Sequence, residues 1–205
     1  MHLADRRHWI FDLDGTLTVP VHDFAAIRAM LGLPDDIGIL EALEAMPAEQ
    51  SEPLIRELDE FEYELAARSE PADGAAELLA VLAGQGTSLG IVTRNCLRNV
   101  ECTLCAIGLE RYFAVDTLIT REIGRPKPAP DGIHRLLEGW QADSATAVMV
   151  GNHLVDLEAG RAAGTTTVLV GAPEEPGWAD LADTSVESLH DVLKLVGNGS
   201  LSRRG

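Results

Sequence analysis

Short oily stretches alternate with amphipathic ones along most of this chain. Apolar, β-favouring runs stand at 8–13 (HWIFDL), 88–92 (SLGIV), 115–119 (VDTLI), 146–150 (TAVMV) and 166–170 (TTVLV). Between and after them, apolar positions recur at helical spacing near 73–84, 95–107, 130–138, 154–163 and 187–195. Strands of this kind joined by helices predict an α/β fold, a parallel sheet covered on both faces.

Residues 20–70 break the rhythm. Phe24, Ile27 and Leu31 are helically spaced, as are Leu40, Leu43 and Met46, and then Leu54, Ile55, Leu58, Phe61 and Leu65. Gly32-Leu33-Pro34, Pro47 and Pro53 punctuate these runs. The pattern predicts a small all-α unit over 20–70, inserted after the first strand, with 1–19 and 71–196 forming the sheet domain. The tail from 197, GNGSLSRRG, is expected to be disordered.

Composition narrows the function classes. The chain has 205 residues, 46% hydrophobic and 24% charged, as in a soluble globular protein. It shows no apolar run of membrane-spanning length, and the charged start MHLADRRHW lacks a signal-peptide core. A cytoplasmic protein with no membrane role is expected. A net charge of −17 argues against a nucleic-acid surface. Much of the acid falls in 41–64 and reads as a solvated helix face. Cys96, Cys102 and Cys105 have no second metal-ligand pair to join them, which suits reduced structural thiols. A monomer or homodimer is expected.

The chemistry gathers where strands end. In an open parallel sheet, ligands bind beyond the carboxyl ends of the strands. The first run is followed by Asp12-Leu13-Asp14-Gly15-Thr16, and the second by Thr93-Arg94-Asn95. A loop after the third holds Lys127 between two prolines, and the fourth leads into Gly151-Asn152-His153-Leu154-Val155-Asp156. Asp12 and Asp14 share strand parity, so extended backbone would point both to one side. Two like charges there call for a positive partner. One carboxylate can attack phosphorus while the other moves protons, and a divalent cation with hard oxygen ligands, Mg²⁺, would relieve the repulsion. Thr93, Arg94 and Asn95 are placed to hold phosphate oxygens at a helix start. Lys127 would balance charge on nucleophile and phosphate. His22 and Asp23 read as a surface turn near the substrate side, and His153 as an exposed residue opening a helix.

These motifs, DLDGTLT at 12–18, VTRN at 92–95, GRPKPAP at 124–130 and GNHLVDLEAG at 151–160, resemble the four ordered motifs of the haloacid dehalogenase superfamily, in its phosphatase branch. The resemblance spans roughly 8–170 and implies a Rossmann-like core with an α-helical cap at 20–70. It implies Asp12 as nucleophile and Asp14 as general acid/base, with the Asp14 carbonyl also touching Mg²⁺. It implies Thr93 and Lys127 as phosphoryl ligands, Gly15, Thr16, Arg94 and Asn95 on the substrate, and Asn152 and Asp156 in the metal environment. The substrate would be a small phosphorylated metabolite, phosphoglycolate-like or a small sugar phosphate.

One position departs from the pattern. The family usually places an acid where this chain has Asn152, whose amide oxygen can coordinate a cation but brings no charge. Weaker metal binding, by about 1–3 kcal/mol, is expected. Three other readings stay open on sequence. A dehalogenase uses the same nucleophile but does not need the second acid, Asp14. A phosphosugar mutase needs a cap that recognises two phosphate positions, for which only Arg28, Arg56 and Arg68 are at hand. A weakly active or non-catalytic phosphate-binding protein would follow if Asn152 disables the metal.

Overall fold

A computed structural model describes residues 3–21, 23–173 and 176–201. His8–Phe11 form β1, and Trp9, Ile10 and Phe11 have no exposed surface at all. Such a strand must lie inside a sheet with both faces covered. The chain then passes through three helices, α1 (Phe24–Leu31), α2 (Ile39–Glu44) and α3 (Ala48–Ala66), before α4 (Ala75–Gly84) and β2 (Ser88–Val92). There follow α5 (Leu97–Ile107), β3 (Leu118–Ile119), α6 (Asp131–Trp140), β4 (Ala147–Gly151), α7 (Leu154–Ala162), β5 (Thr166–Val170), β6 (Thr184–Val186) and α8 (Leu189–Leu201).

Among the described residues the six strands form one parallel sheet in the order β3-β2-β1-β4-β5-β6. Alternate residues serve opposite faces, as strand geometry requires. Trp9, Phe11, Val148 and Val150 join Leu78, Leu82, Val100, Leu104 and Val192, so α4, α5 and α8 cover one face. Ile10 and Met149 join Ile133, Leu136 and Ala159, so α6 and α7 cover the other. Gly160 lets α7 approach closely, because a Cβ there would stand 2.7 Å from Thr167 Cγ2. Strand order reverses between β1 and β4, which opens a crevice at their carboxyl ends.

The helices α1 to α3 bury their own apolar cluster, Ile27, Leu31, Leu33, Ala42, Leu43 and Leu58. The chain enters and leaves this insert side by side: Thr18 bridges Pro71, and the Val19 amide donates to Glu70 O at 2.9 Å. No helix among the described residues is long and apolar enough to cross a membrane.

Several elements differ from their sequence reading. The third strand keeps only two residues, because Val115–Thr117 turn as a 3-10 helix in which the Thr117 hydroxyl donates to Ala114 O at 2.8 Å; such local bonds compete with ladder pairing. Pro53 lies inside α3 rather than ending it. It removes one backbone bond, and the packed residues that follow it carry the helix on. Asp12 and Asp14 lie beyond the end of β1, Asp14 within a turn, so strand parity does not govern where they point. A sixth strand, β6, went unread because Thr184-Ser185-Val186 is short and partly exposed. The expected disordered tail is helical through Leu201, as propagation from the packed Val192 and Val196 allows. Residues 202–205 and His22 lie outside the described residues.

Candidate active site

The crevice between β1 and β4 holds the buried charges. The Asp12 amide extends the ladder, donating to Val150 O at 2.9 Å, which fixes the residue at the strand mouth. Its carboxylate Oδ1 receives the Lys127 ammonium at 2.6 Å, and the same ammonium donates to Asp156 Oδ1 at 2.6 Å. Side-chain exposures of 2% for Lys127, 10% for Asp12 and 1% for Asp156 make this a buried triad carrying a net negative charge when ionised. Burial pushes the Asp12 carboxyl up to about 7; Lys127 opposes the rise, and the charges of Asp156 and Asp14 add to it. Burial also works against the Lys127 charge, but the two carboxylates outweigh it and hold its pKa above the ordinary lysine value.

Asp156 stands in the first turn of α7, whose N-cap is His153. Its Oδ2 accepts from the His153 amide at 3.0 Å, completing a capping box in which the His153 ring accepts from the Val155 amide at 3.4 Å. Both Asp156 oxygens are therefore engaged, one by Lys127 and one by backbone. The resemblance places Asp156 in the metal environment; here one of its oxygens accepts from Lys127 and the other from the backbone at the start of α7. His153 is half-buried rather than exposed, its ring set edge-on to Trp178 with centroids 4.7 Å apart.

Gly15 and Thr16 were expected on the substrate, yet neither lines the cavity. Gly15 adopts φ +81°, and a Cβ there would stand 2.6 Å from Asn152 Nδ2, so the position needs both the left-handed conformation and the missing side chain. The fully buried Thr16 hydroxyl lies 3.2 Å from Asp12 Oδ2 and 3.1 Å from Asn152 Oδ1. The one hydroxyl proton serves one of these oxygens at a time, and Thr16 sets a carboxylate oxygen and an amide oxygen about a common point between the β1 and β4 ends.

The second strand's loop serves Asp14. The Thr93 amide donates to Ile119 O at 2.9 Å, and its Oγ1 accepts from the Asn95 amide at 3.1 Å, leaving the hydroxyl proton free for the cavity. Asn95 Nδ2 donates to Asp14 Oδ2 at 3.2 Å, while Asn95 Oδ1 accepts from the Cys96 amide at 2.9 Å and from Asn99 Nδ2 at 3.2 Å. The helix expected to open at Arg94 and Asn95 opens at Leu97, so these two residues act through side chains rather than as helix N–H donors. Arg94 points at the insert, where its Nη2 donates to both Glu41 oxygens at 2.6 and 2.7 Å.

Above these groups is a cavity of about 250 Å³. Asp12, Asp14, Thr93, Lys127 and Asn152 form its floor, and Phe24, Arg28, Ile39, Leu40, Leu58 and Glu62 of the insert form the facing wall. Of the insert arginines only Arg28 reaches it, with Nε and Nη1 committed to Ile37 O and Phe24 O. The acidic stretch 41–64 is not simply a solvated face. Glu41 meets Arg94, Glu60 meets Arg98 at 2.5 Å, and Arg121 pairs with Asp59 and, at 3.3 Å, with Glu62. Asn99 Nδ2 also donates to Asp59 O at 3.2 Å. Core arginines thus clasp the insert over the crevice.

Glu62 is the residue sequence reading missed. Burial, and next the charge of Asp14, push its carboxyl upward, to about 8. Its signal was present: at i+4 from Leu58 and i−4 from Ala66, both buried, it is a carboxylate on an otherwise apolar helix stripe.

Among the described residues no cluster of three His, Cys, Asp or Glu side chains is arranged around a metal position. The convergence of Asp12 Oδ2 and Asn152 Oδ1 on the Thr16 hydroxyl nevertheless offers hard oxygen donors, the kind Mg²⁺ takes. The donor set fits a hard cation with one negative charge fewer than a pair of acids would supply.

Relatives of the chain establish its family. The family model of haloacid dehalogenase-like hydrolases matches residues 23–170. An uncharacterised hydrolase of Saccharomyces cerevisiae is 30% identical over 196 residues, covering 92% of this chain and 90% of that one. N-acetylmuramic acid 6-phosphate phosphatase of Pseudomonas aeruginosa is 30% identical over 181 residues, covering 78% and 80%. A hydrolase from Pseudomonas syringae shares the fold, with TM-score 0.79 at 24% identity over 94% of this chain and 99% of that one. The chain belongs to the haloacid dehalogenase-like hydrolases.

Proposed function

We propose that this protein is a Mg²⁺-dependent phosphatase acting on small phosphorylated metabolites through an aspartyl-phosphate intermediate. The observation that carries the reading is the Asp12 carboxylate, held by Lys127 at the mouth of β1 and facing a cavity that Asp14 and Thr93 share.

A carboxylate is a competent nucleophile toward phosphorus when the repulsion between anions is offset. In the proposed reaction an Asp12 oxygen bonds to phosphorus in line with the departing alcohol, whose P–O bond breaks as Asp14 gives it a proton. Water then attacks the phosphorus, Asp14 takes its proton, and cleavage of the bond to Asp12 releases phosphate and restores both carboxyl groups. Lys127 balances charge on the nucleophile and the phosphoryl oxygens, and the Thr93 hydroxyl donates to those oxygens. Thr16 and Asn95 orient Asp12 and Asp14.

Asp12, Asn152 and the Asp14 main-chain carbonyl would hold Mg²⁺, which when bound supplies positive charge between nucleophile and phosphate dianion. The −17 charge accords with a small-molecule substrate rather than nucleic acid, and a cytoplasmic monomer or homodimer is the setting we propose.

The test is phosphate release from a panel of small monoesters, including p-nitrophenyl phosphate, with Mg²⁺ and with chelator. Metal-dependent release is the expected result. No release from any ester above an Asp12→Asn background would favour a phosphate-binding protein instead.

A further inference from the structure

We propose that Glu62 is a specificity-determining residue, a hydrogen-bond acceptor for a hydroxyl on the departing alcohol, so that the substrates are phosphate esters of polyols rather than of hydroxy acids. This rests on the phosphatase reading above and names the substrate class of that same cavity.

Glu62 reaches the cavity from the insert side with a side chain only 14% exposed. The groups expected to face the transferring phosphoryl, Asp12, Lys127 and Thr93, lie on the opposite floor. Asp14, the proton carrier for the departing oxygen, lines the same cavity, and its charge is felt at Glu62. The departing alcohol therefore passes between Asp14 and Glu62.

The rest of that wall is chiefly Phe24, Ile39, Leu40 and Leu58, which contact carbon without choosing among polar groups. Arg121 reaches Glu62 Oε2 from the core side at 3.3 Å and the Asn99 side chain also hydrogen-bonds the carboxyl, whose two oxygens still have room for a further partner. A hydroxylated alcohol satisfies that capacity. An alcohol bearing a carboxylate in place of that hydroxyl brings no donor to Glu62 and carries its charge toward Asp14. A site built to accept a hydrogen bond discriminates strongly against analogues that lack the donor. Arg28, the cation on this wall, is tethered to the insert itself through Ile37 O and Phe24 O, at 3.3 and 3.4 Å.

The experiment compares kcat/KM for glycerol 3-phosphate, glucose 6-phosphate, phosphoglycolate and p-nitrophenyl phosphate, with Mg²⁺, in the parent protein and in Glu62→Gln and Glu62→Leu. The parent is expected to prefer a polyol ester to phosphoglycolate. Glu62→Leu should lose about tenfold or more on the polyol esters while p-nitrophenyl phosphate changes by less than about threefold. Glu62→Gln, which keeps an acceptor oxygen and the side-chain shape, should retain polyol turnover within about threefold and improve on phosphoglycolate. A parent preference for phosphoglycolate, or an equal loss on every ester in both variants, would overturn the assignment and leave Glu62 as a brace for Arg121. Absence of turnover on all four esters in the parent would instead sink the phosphatase reading on which it stands.

Discussion

The Lys127 ammonium stands 2.6 Å from the Asp12 carboxylate, across 115 residues of chain, with essentially no solvent around it. Removing the lysine leaves Asp12 and Asp156 as neighbouring buried carboxylates without a cation. Lys127→Met should therefore destabilise the metal-free protein by about 3–5 kcal/mol near pH 8. The loss should shrink at pH 5, where protonation relieves the repulsion. Urea unfolding at the two pH values measures both effects, and a loss independent of pH would contradict the charge argument.

Asp12 makes the opposite contribution. Its pKa in the folded state is raised to about 7 from an ordinary value of 3.8, so between those values the native state binds more protons than the unfolded one. Stability from this group is then greatest below about pH 4 and falls as pH rises toward 7. Asp12→Asn removes the ionisation, so the variant should melt higher than the parent at pH 7–8 and close to it at pH 4. Equal melting temperatures across that range would refute the assignment of strain to this carboxylate.

Asn152 shares the Thr16 hydroxyl with Asp12 Oδ2, so an acid at 152 would place a second charge beside the first. Asn152→Asp should tighten Mg²⁺ binding by about 1–3 kcal/mol, read by titration calorimetry. The same variant should melt lower than the parent without metal and higher with it. Identical affinities would show that residue 152 does not contribute to the cation site.

Arg121 joins the core to α3 through Asp59 and Glu62, and its side chain is only 12% exposed. Exposed pairs such as Arg98 with Glu60 contribute little, so the clasp depends on Arg121 and on Arg94 with Glu41. Arg121→Ala should speed amide hydrogen exchange in α3 about tenfold or more while leaving α4 and the strands unchanged. Uniform acceleration throughout the chain would indicate global destabilisation rather than release of the insert.

The sheet was legible because β1, β2, β4 and β5 are oily runs too short for helices, and the chemistry was legible because polar residues follow each of them. The third strand misled because Val115-Asp116-Thr117 has strand-like residues whose side chains prefer a local turn. The clasp was hidden for a different reason. From Glu41 to Glu64 acidic residues occupy nearly every helical direction, so no face stands out as the one that meets arginines fifty residues away. Gly15 and Thr16 stood on the substrate only by the family resemblance, and nothing in their own spacing says which way they face. The fold seals Thr16 beneath the site, its hydroxyl between Asp12 and Asn152. Glu62 could have been singled out by its place between Leu58 and Ala66.

The most direct test of the account is acid quenching of a single turnover with a radiolabelled phosphate ester and Mg²⁺, followed by borohydride reduction and peptide mapping. The account predicts label on the protein in the parent, conversion of Asp12 to homoserine on reduction, and neither in Asp12→Asn. Turnover without covalent label, or label retained in Asp12→Asn, would contradict it.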